Sequence, residues 1–316
     1  GEFSYLIPGN LAPQISIGSF ISVPFHGREI MAVVVSLSEL GNLTGLKSIT
    51  KIVGAIPLLS EQMISLILGA ASRYACHPFD LIRSAVPDRI ANVERDFLLR
   101  EIPPASPRAS ASRSYLQLPP GEPRSTLMAQ KISHLVKNGP TIALLPDVRE
   151  LNSLADELRG LDINFVEIGS HLPKSENFAN FLKARCGEVS LVIGTRSAVF
   201  TPLNNLATIF IYNEGSEHFY ERRTPGWNVR DLALMRSSLE NVSVLFAGYS
   251  PSVEIARLID EKWVSYNRSR AKVLTQTYPS INGELFPSRA LTPEREFPGA
   301  PLVRSGRCGV RSVPES

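Results

Sequence analysis

The sequence predicts a multi-domain protein: a β-rich N-terminal segment, a small α-helical segment, and an α/β lobe built on a parallel sheet. Three observations predict it. From residue 114 onward, short apolar runs rich in β-branched residues alternate with stretches of helical periodicity, the pattern of a parallel sheet with helices on both faces. Residues 103–113, Pro-Pro-Ala-Ser-Pro-Arg-Ala-Ser-Ala-Ser-Arg, bury little and bar regular structure, as a linker does. Ahead of them, residues 1–55 carry strand-like runs joined by a short polar turn.

In order, 20–25 and 30–37 are strand candidates, joined by His26-Gly27-Arg28-Glu29. Residues 56–102 change character. Ser60 is a plausible N-cap, and Ile64, Ile67, Leu68 and Ala71 follow at helical spacing. Tyr74 to Pro78 interrupts that helix, and 79–86 gives a second. In the lobe, 114–265, helices are predicted over 125–137, 148–158, 174–184, 229–239 and 252–261. Strands are predicted over 141–145, 164–168, 189–193, 207–212 and 243–247. Residues 266–316 read as a poorly ordered remnant: 271–275 is one more strand candidate, and Pro, Gly, Arg and Ser dominate from Pro279. A first residue of Gly and this ragged tail are expected to mark incomplete ends.

Composition narrows the function classes. At 316 residues, 43% hydrophobic and 20% charged, the chain holds two to three cored domains and is not a disordered polyampholyte. A net charge of +3 and a pI near 8.8 fit nucleic acid or an ordinary basic protein alike. Three isolated cysteines, Cys76, Cys186 and Cys308, form neither a disulfide framework nor a zinc pair, so a reducing cytoplasm is expected. Cys76-His77 lacks a second ligand pair and reads as packing rather than metal. No run of about 18 apolar residues is present, which argues against a membrane span.

The chemistry concentrates at two strand ends. The run 189–193 leads into Gly194-Thr195-Arg196-Ser197, and the run 207–212 into Asn213-Glu214. In an open parallel sheet both ends border one crevice, where ligands bind. The stretch Gly194-Thr195-Arg196-Ser197-Ala198-Val199-Phe200-Thr201-Pro202, with Arg230-Asp231-Leu232-Ala233 and Gly248-Tyr249-Ser250-Pro251-Ser252 after it, resembles the first motor lobe of superfamily 2 helicases. More closely it resembles the PriA family of replication-restart primosomal proteins, in a degenerate form found among actinobacteria. The opening Phe3-Ser4-Tyr5-Leu6-Ile7-Pro8 and Val23-Pro24-Phe25 resemble that family's first domain. Arg230-Asp231 reads equally as a local ion pair.

The resemblance implies a 3′-end DNA-binding domain over 1–55, a winged-helix-like domain over 56–102, a degenerate first RecA-like helicase lobe over 114–265, and a remnant of a second lobe over 266–316. It implies a DNA pocket of Phe3, Ser4, Gly27 and Lys47, with Phe3 stacking on a terminal base and Lys47 meeting phosphate. Ser4 stands where the family has Asp. Without the resemblance, Phe3 and Phe25 read as core and Lys47 as a solvated charge. It further implies DNA-backbone contact by Thr195, Arg196 and Ser197.

The family's phosphate loop falls on Leu118-Pro119-Pro120-Gly121-Glu122-Pro123-Arg124-Ser125. Of its elements Gly121 and the Ser125 hydroxyl remain, and Arg124 replaces Lys. Prolines remove amide donors. Glu122 beside a phosphate costs about 4 kcal/mol at roughly 4 Å and an effective dielectric near 20. Asn213 replaces the magnesium-binding Asp, which leaves Glu214 as a residual carboxylate. No catalytic activity and no cofactor are therefore expected: neither ATP nor magnesium, and no zinc from these cysteines. The expected function is binding of branched DNA, forked or at a single-strand/duplex junction, to nucleate a primosome with other replication proteins in the bacterial cytoplasm, at the nucleoid and away from membranes. An ATP-dependent 3′–5′ helicase with an atypical site, and a protein-interaction module or decaying gene product without DNA function, stay open as alternatives.

Overall fold

Short apolar runs fold the N-terminal segment into a three-stranded antiparallel sheet in the order β2-β1-β3, comprising β1 (Phe20–Phe25), β2 (Arg28–Val33) and β3 (Lys51–Ile52). The β1–β2 connection is tighter than the four residues expected. His26 and Gly27 both take positive φ, 46° and 76°, and Phe25 pairs with Arg28. Positive φ at both central residues suits the twist of a two-residue hairpin. Ile15, Ile21, Val23, Val34 and Ile49 close a small core under this sheet.

The computed structural model describes residues 2–39, 45–98, 100, 110–119 and 121–268. The strand candidate 271–275, the rest of the tail beyond 268, linker residues 103–109 and Pro120 lie outside them. All described residues belong to one contact-defined unit, Gly1–Thr277.

Residues 56–102, expected as a winged-helix-like domain, supply three helices: α1 (Glu61–Arg73), α2 (Pro78–Ala85) and α3 (Ala91–Arg95). No strand occurs among their described residues. The Ser60 side chain accepts from the Met63 amide at 3.1 Å, the N-cap expected from sequence. His77 caps α2, its Nδ1 accepting from the Phe79 amide at 3.2 Å, and Cys76 packs against the core. The apolar faces of α1 and α2 share one continuous core with the lobe.

The lobe is a seven-stranded, wholly parallel sheet in the order β10-β4-β9-β8-β5-β7-β6. Its elements are β4 (Arg113–Gln117), α4 (Arg124–Asn138), β5 (Thr141–Leu144), α5 (Val148–Gly160), β6 (Val166–Ile168), α6 (Lys174–Arg185), β7 (Leu191–Gly194), β8 (Thr208–Tyr212), α7 (Val229–Glu240), β9 (Ser243–Gly248), α8 (Val253–Asp260) and β10 (Ser265–Asn267). The expected helices and the five expected strands appear within a few residues of their predicted ends. Two strands are additions. β4 buries fully only Tyr115, and the edge strand β10 buries no residue, so neither shows the apolar run of a central strand. β10 also extends the lobe into the segment read as a tail remnant. Period-two alternation divides the central strands between faces: Ile209 and Ile211 join the core shared with α1, α2, α6 and α7, while Phe210 and Tyr212 join the core under α4 and α5. Among the described residues, no helix is long and apolar enough to cross a membrane.

One buried carboxylate ties the N-terminal sheet to the helices. Glu94, 2% exposed, accepts from the amides of Ala55 at 2.9 Å and Ile56 at 3.2 Å and pairs with Arg89 at 2.6 Å. Glu94→Ala leaves two backbone donors without their acceptor and is expected to destabilise the protein by about 2–4 kcal/mol, read as a lowered urea midpoint. Glu94→Gln, whose amide oxygen still accepts, is expected to lose less.

Candidate functional site

The N-terminal segment runs beside residues 47–49. The Leu6 amide donates to the Lys47 carbonyl at 2.9 Å, and the Ile49 amide to the Leu6 carbonyl at 3.0 Å. The segment also crosses the end of β1, where the Tyr5 hydroxyl meets the Pro24 carbonyl at 3.4 Å. These bonds bring Phe3, Ser4, Gly27 and Lys47 to one end of the small sheet. The Phe3 ring stands edge-on to Phe25 at 4.9 Å and is 63% exposed, so it is not a core residue. Gly27 has open space where a Cβ would stand, and Ser4 and Lys47 are exposed. An uncovered aromatic offers a face on which a base can stack.

Because the lobe's strands are all parallel, β4, β9, β8, β5 and β7 end on one rim. At β7 the chain passes so close to its neighbours that only glycine fits. A Cβ on Gly194 would stand 2.4 Å from the Ile168 carbonyl oxygen and 2.4 Å from the Ala198 Cβ. Beyond it, Arg196–Phe200 forms a 3-10 turn whose second half is buried and whose first residues, with Thr195, are half-buried. Arg196 is anchored: its guanidinium donates to the Tyr220 carbonyl at 2.8 Å, pairs with Glu221 at 2.9 Å and lies 5.8 Å from the Trp227 ring centre. Trp227 also packs edge-on against Phe200 at 5.1 Å. The expected trio Thr195, Arg196 and Ser197 therefore sits on a braced turn; Tyr220, a landmark of the sequence, supports it through its carbonyl, and Glu221 and Trp227 are supports that sequence reasoning missed.

The positions matching a phosphate cradle are occupied otherwise. Gly121 keeps a positive φ of 88°, but α4 begins after Pro123 with no side-chain cap. Arg124 makes a bidentate pair with Glu150 of α5, at 3.0 and 2.6 Å. That carboxylate raises the Arg124 pKa further above its already high value. Ser125 and Thr126 turn their hydroxyls to Glu157 of the same helix, at 3.3 and 2.9 Å. Glu150 and Glu157 were not among the residues singled out from sequence; their only signal is a spacing of two turns on the helix after β5.

At the end of β8, Asn213 takes a left-handed φ of 52°. Its amide donates to the Ala247 carbonyl at 2.8 Å and its carbonyl accepts from Ser216 at 2.9 Å. Glu214 is 1% exposed and its carboxylate accepts from the Ser252 amide at 2.7 Å. Ser252 caps α8, so Glu214 acts as an anion at a helix N-terminus, a favourable placement. The Tyr115 hydroxyl is buried with no partner among the described residues. Burial first, and the nearby negative Glu214 second, raise its pKa well above that of an ordinary phenol. Arg230 spans Glu254 at 3.1 Å and Asp231 at 3.5 Å, the local ion pair weighed from sequence.

At these positions Arg124 is paired with Glu150, the Ser125 hydroxyl is turned to Glu157, residue 213 carries an amide, and the Glu214 carboxylate is buried on a backbone N–H. Among the described residues no group of three or more His, Cys, Asp or Glu could hold a metal ion.

Comparison with known proteins adds the family context. Residues 1–87 match the family model for the 3'DNA-binding domain (3'BD) of PriA, a match that runs through β1–β3 and past α2. The chain is 27% identical over 290 residues to the probable replication restart protein PriA of Mycobacterium leprae, covering 83% of this chain and 44% of that protein. It is 28% identical over 287 residues to its counterpart in Mycobacterium tuberculosis strain H37Rv, with the same coverages. The chain thus spans less than half the length of these relatives. The solved structure of T4 UvsW aligns with 62% of this chain and 44% of its own at TM-score 0.31 and 13% identity, too slight a likeness to carry an argument. Over most of its length the chain is thus similar, at modest identity, to the replication restart proteins PriA, and its first 87 residues match the model of their 3′ DNA-binding domain.

Proposed function

We propose that this chain binds branched DNA during replication restart and does so without turning over ATP. Its N-terminal domain would take a free 3′ end through Phe3, Ser4, Gly27 and Lys47. The rim bearing Thr195, Arg196 and Ser197 would meet the DNA backbone. The lobe would serve as a body on which primosome or replication proteins assemble, in the bacterial cytoplasm at the nucleoid. One contrast carries this reading. The Phe3 ring stands uncovered, while Arg124 and Ser125, the groups aligned with a phosphate site, are bound to carboxylates of α5.

Titration of forked DNA with and without magnesium ATP tests it. Affinity is expected to be indifferent to nucleotide and to fall steeply with salt. Phe3→Ala is expected to weaken binding to forks with a free 3′ end by about 1–3 kcal/mol, the worth of one stacked base, and to leave forks with a blocked 3′ end unchanged. DNA-stimulated phosphate release that disappears in Arg124→Ala would establish the helicase alternative instead. No binding to single-stranded, duplex or forked DNA at low salt would favour the protein-interaction alternative.

Glu214 provides a second test. A carboxylate that served turnover would be dispensable to the fold. Here Glu214→Ala removes a charged acceptor from the Ser252 amide and is expected to cost about 1.5–3 kcal/mol in urea denaturation, with no phosphate release to lose.

A further inference from the structure

We propose that Arg236 of α7 is a positioning residue for nucleic-acid contact: it fixes the pose of the turn bearing Thr195, Arg196 and Ser197 without touching DNA itself. This rests on the reading of that turn as a DNA contact. Arg236 is 1% exposed, an unusual place for a guanidinium. One nitrogen donates to the carbonyls of Val199 at 2.7 Å and Thr201 at 3.1 Å. The other two meet Glu240, one turn along the same helix, both at 2.8 Å. Burying this charge is tolerable because Glu240 pairs with it and the carbonyls take its remaining donors.

The geometry assigns the charge a particular task. Val199 lies within the 3-10 turn and Thr201 just beyond it, so Arg236 grips the far end of the segment. The near end is fixed where Gly194 passes against Ile168 and Ala198. Between these holds stand the residues read as DNA-facing. α2 packs on the same turn, and Trp227 closes against Phe200. A lysine at 236 keeps the charge but has no planar fork to span two carbonyls and a carboxylate at once. The hydrogen bonds of the Arg236 side chain go to this turn and to Glu240, which sets it apart from a general support of the core.

A double-mutant cycle on forked DNA tests the proposal, using the whole chain and the variants Arg196→Ala, Arg236→Lys and both together. Arg236→Lys is expected to weaken binding by about 3–10-fold and to lower the salt slope by about one phosphate contact. Combined with Arg196→Ala, it is expected to be no weaker than the more impaired single variant, because both act through one turn. Combined with Phe3→Ala, its effect is expected to multiply. Glu240→Gln, which keeps an acceptor for the guanidinium but removes its charge, is expected to act in the same direction with a milder loss, and it replaces Arg236→Lys if that variant does not fold. Wild-type affinity in a folded Arg236→Lys or Glu240→Gln variant, or multiplication of its effect with that of Arg196→Ala, overturns the proposal. An unchanged salt slope does so too, since mere loss of stability leaves the phosphate contacts of the folded fraction in place. If Arg196→Ala alone binds as wild type, the DNA reading of the turn fails first, a result distinct from failure of Arg236 to position it.

Discussion

The packing of α1 against α7 is the contact on which the rest of the described structure depends. Its two helices come from opposite sides of the linker, and the approach is close: a Cβ on Gly69 would stand 3.3 Å from the Met235 terminal methyl. Polar groups fix its edge. Asp231 receives Arg73 at 3.2 Å and the Tyr74 hydroxyl at 3.4 Å, and the Tyr74 oxygen accepts from the Asn228 amide at 3.2 Å. Exposed pairs such as Arg73–Asp231 contribute at most about 1 kcal/mol, so the apolar burial supplies the stability and the polar edge supplies the register. The result is one continuous core from Phe20 of β1 to Phe246 of β9. The segment matched to the 3'DNA-binding domain ends at residue 87, beyond α2. Its boundary therefore falls inside the helices that pack on the lobe rather than at the end of the small sheet.

If the strand-end rim binds no nucleotide, as proposed, magnitudes decide which of its features weighs most. The Arg124–Glu150 pair is half-exposed on the arginine side, and such a pair contributes about 0–1 kcal/mol. A nucleotide held at micromolar affinity gains about 8 kcal/mol, so that pair alone would yield to it. The larger deficits are in the backbone and the metal site. Pro119 and Pro123 have no amide proton to offer, Asn213 is a neutral ligand for a hard cation, and Glu214 is spent on Ser252. The α5 carboxylates then take up the Arg124, Ser125 and Thr126 donors, which leaves no unpaired cation among the described residues at the start of α4.

Long apolar strands and amphipathic helices of the lobe were legible because their signal is local: Val192, Ile193, Ile209 and Ile211 sit in unbroken apolar runs, and α5 repeats Leu151, Leu154, Ala155 and Leu158 on one face. β4 and β10 were not legible, since a strand at or next to a sheet edge needs no apolar run. The placement of Thr195, Arg196, Asn213 and Glu214 at strand ends was legible for a topological reason, because parallel strands put all such ends on one side. Their bonding was not. Arg124 meets Glu150 26 residues away, Ser125 meets Glu157 across 32, and Ala55 meets Glu94 across 39. No period or spacing in a single sequence announces such pairings, and they separate a site that is present from one that is filled.

A lobe can lose its phosphate chemistry and still be required for its shape. The turn after β7 holds its course through the close approach at Gly194, the burial of Ala198, Val199 and Phe200, and the carbonyls gripped from α7. Each of these needs β7 seated between β5 and β6 and α7 seated on the sheet. None of them needs a nucleotide. A cradle for triphosphate instead requires bare amides and unpaired charges at α4, which cost stability when no ligand is present. Filling that cradle with Arg124–Glu150 and Ser125–Glu157 contacts removes this liability and leaves the turn untouched, because α4 and α5 pack on the opposite face of the sheet from α7. The two faces can therefore change independently, and the turn after β7 does not depend on what occupies the start of α4.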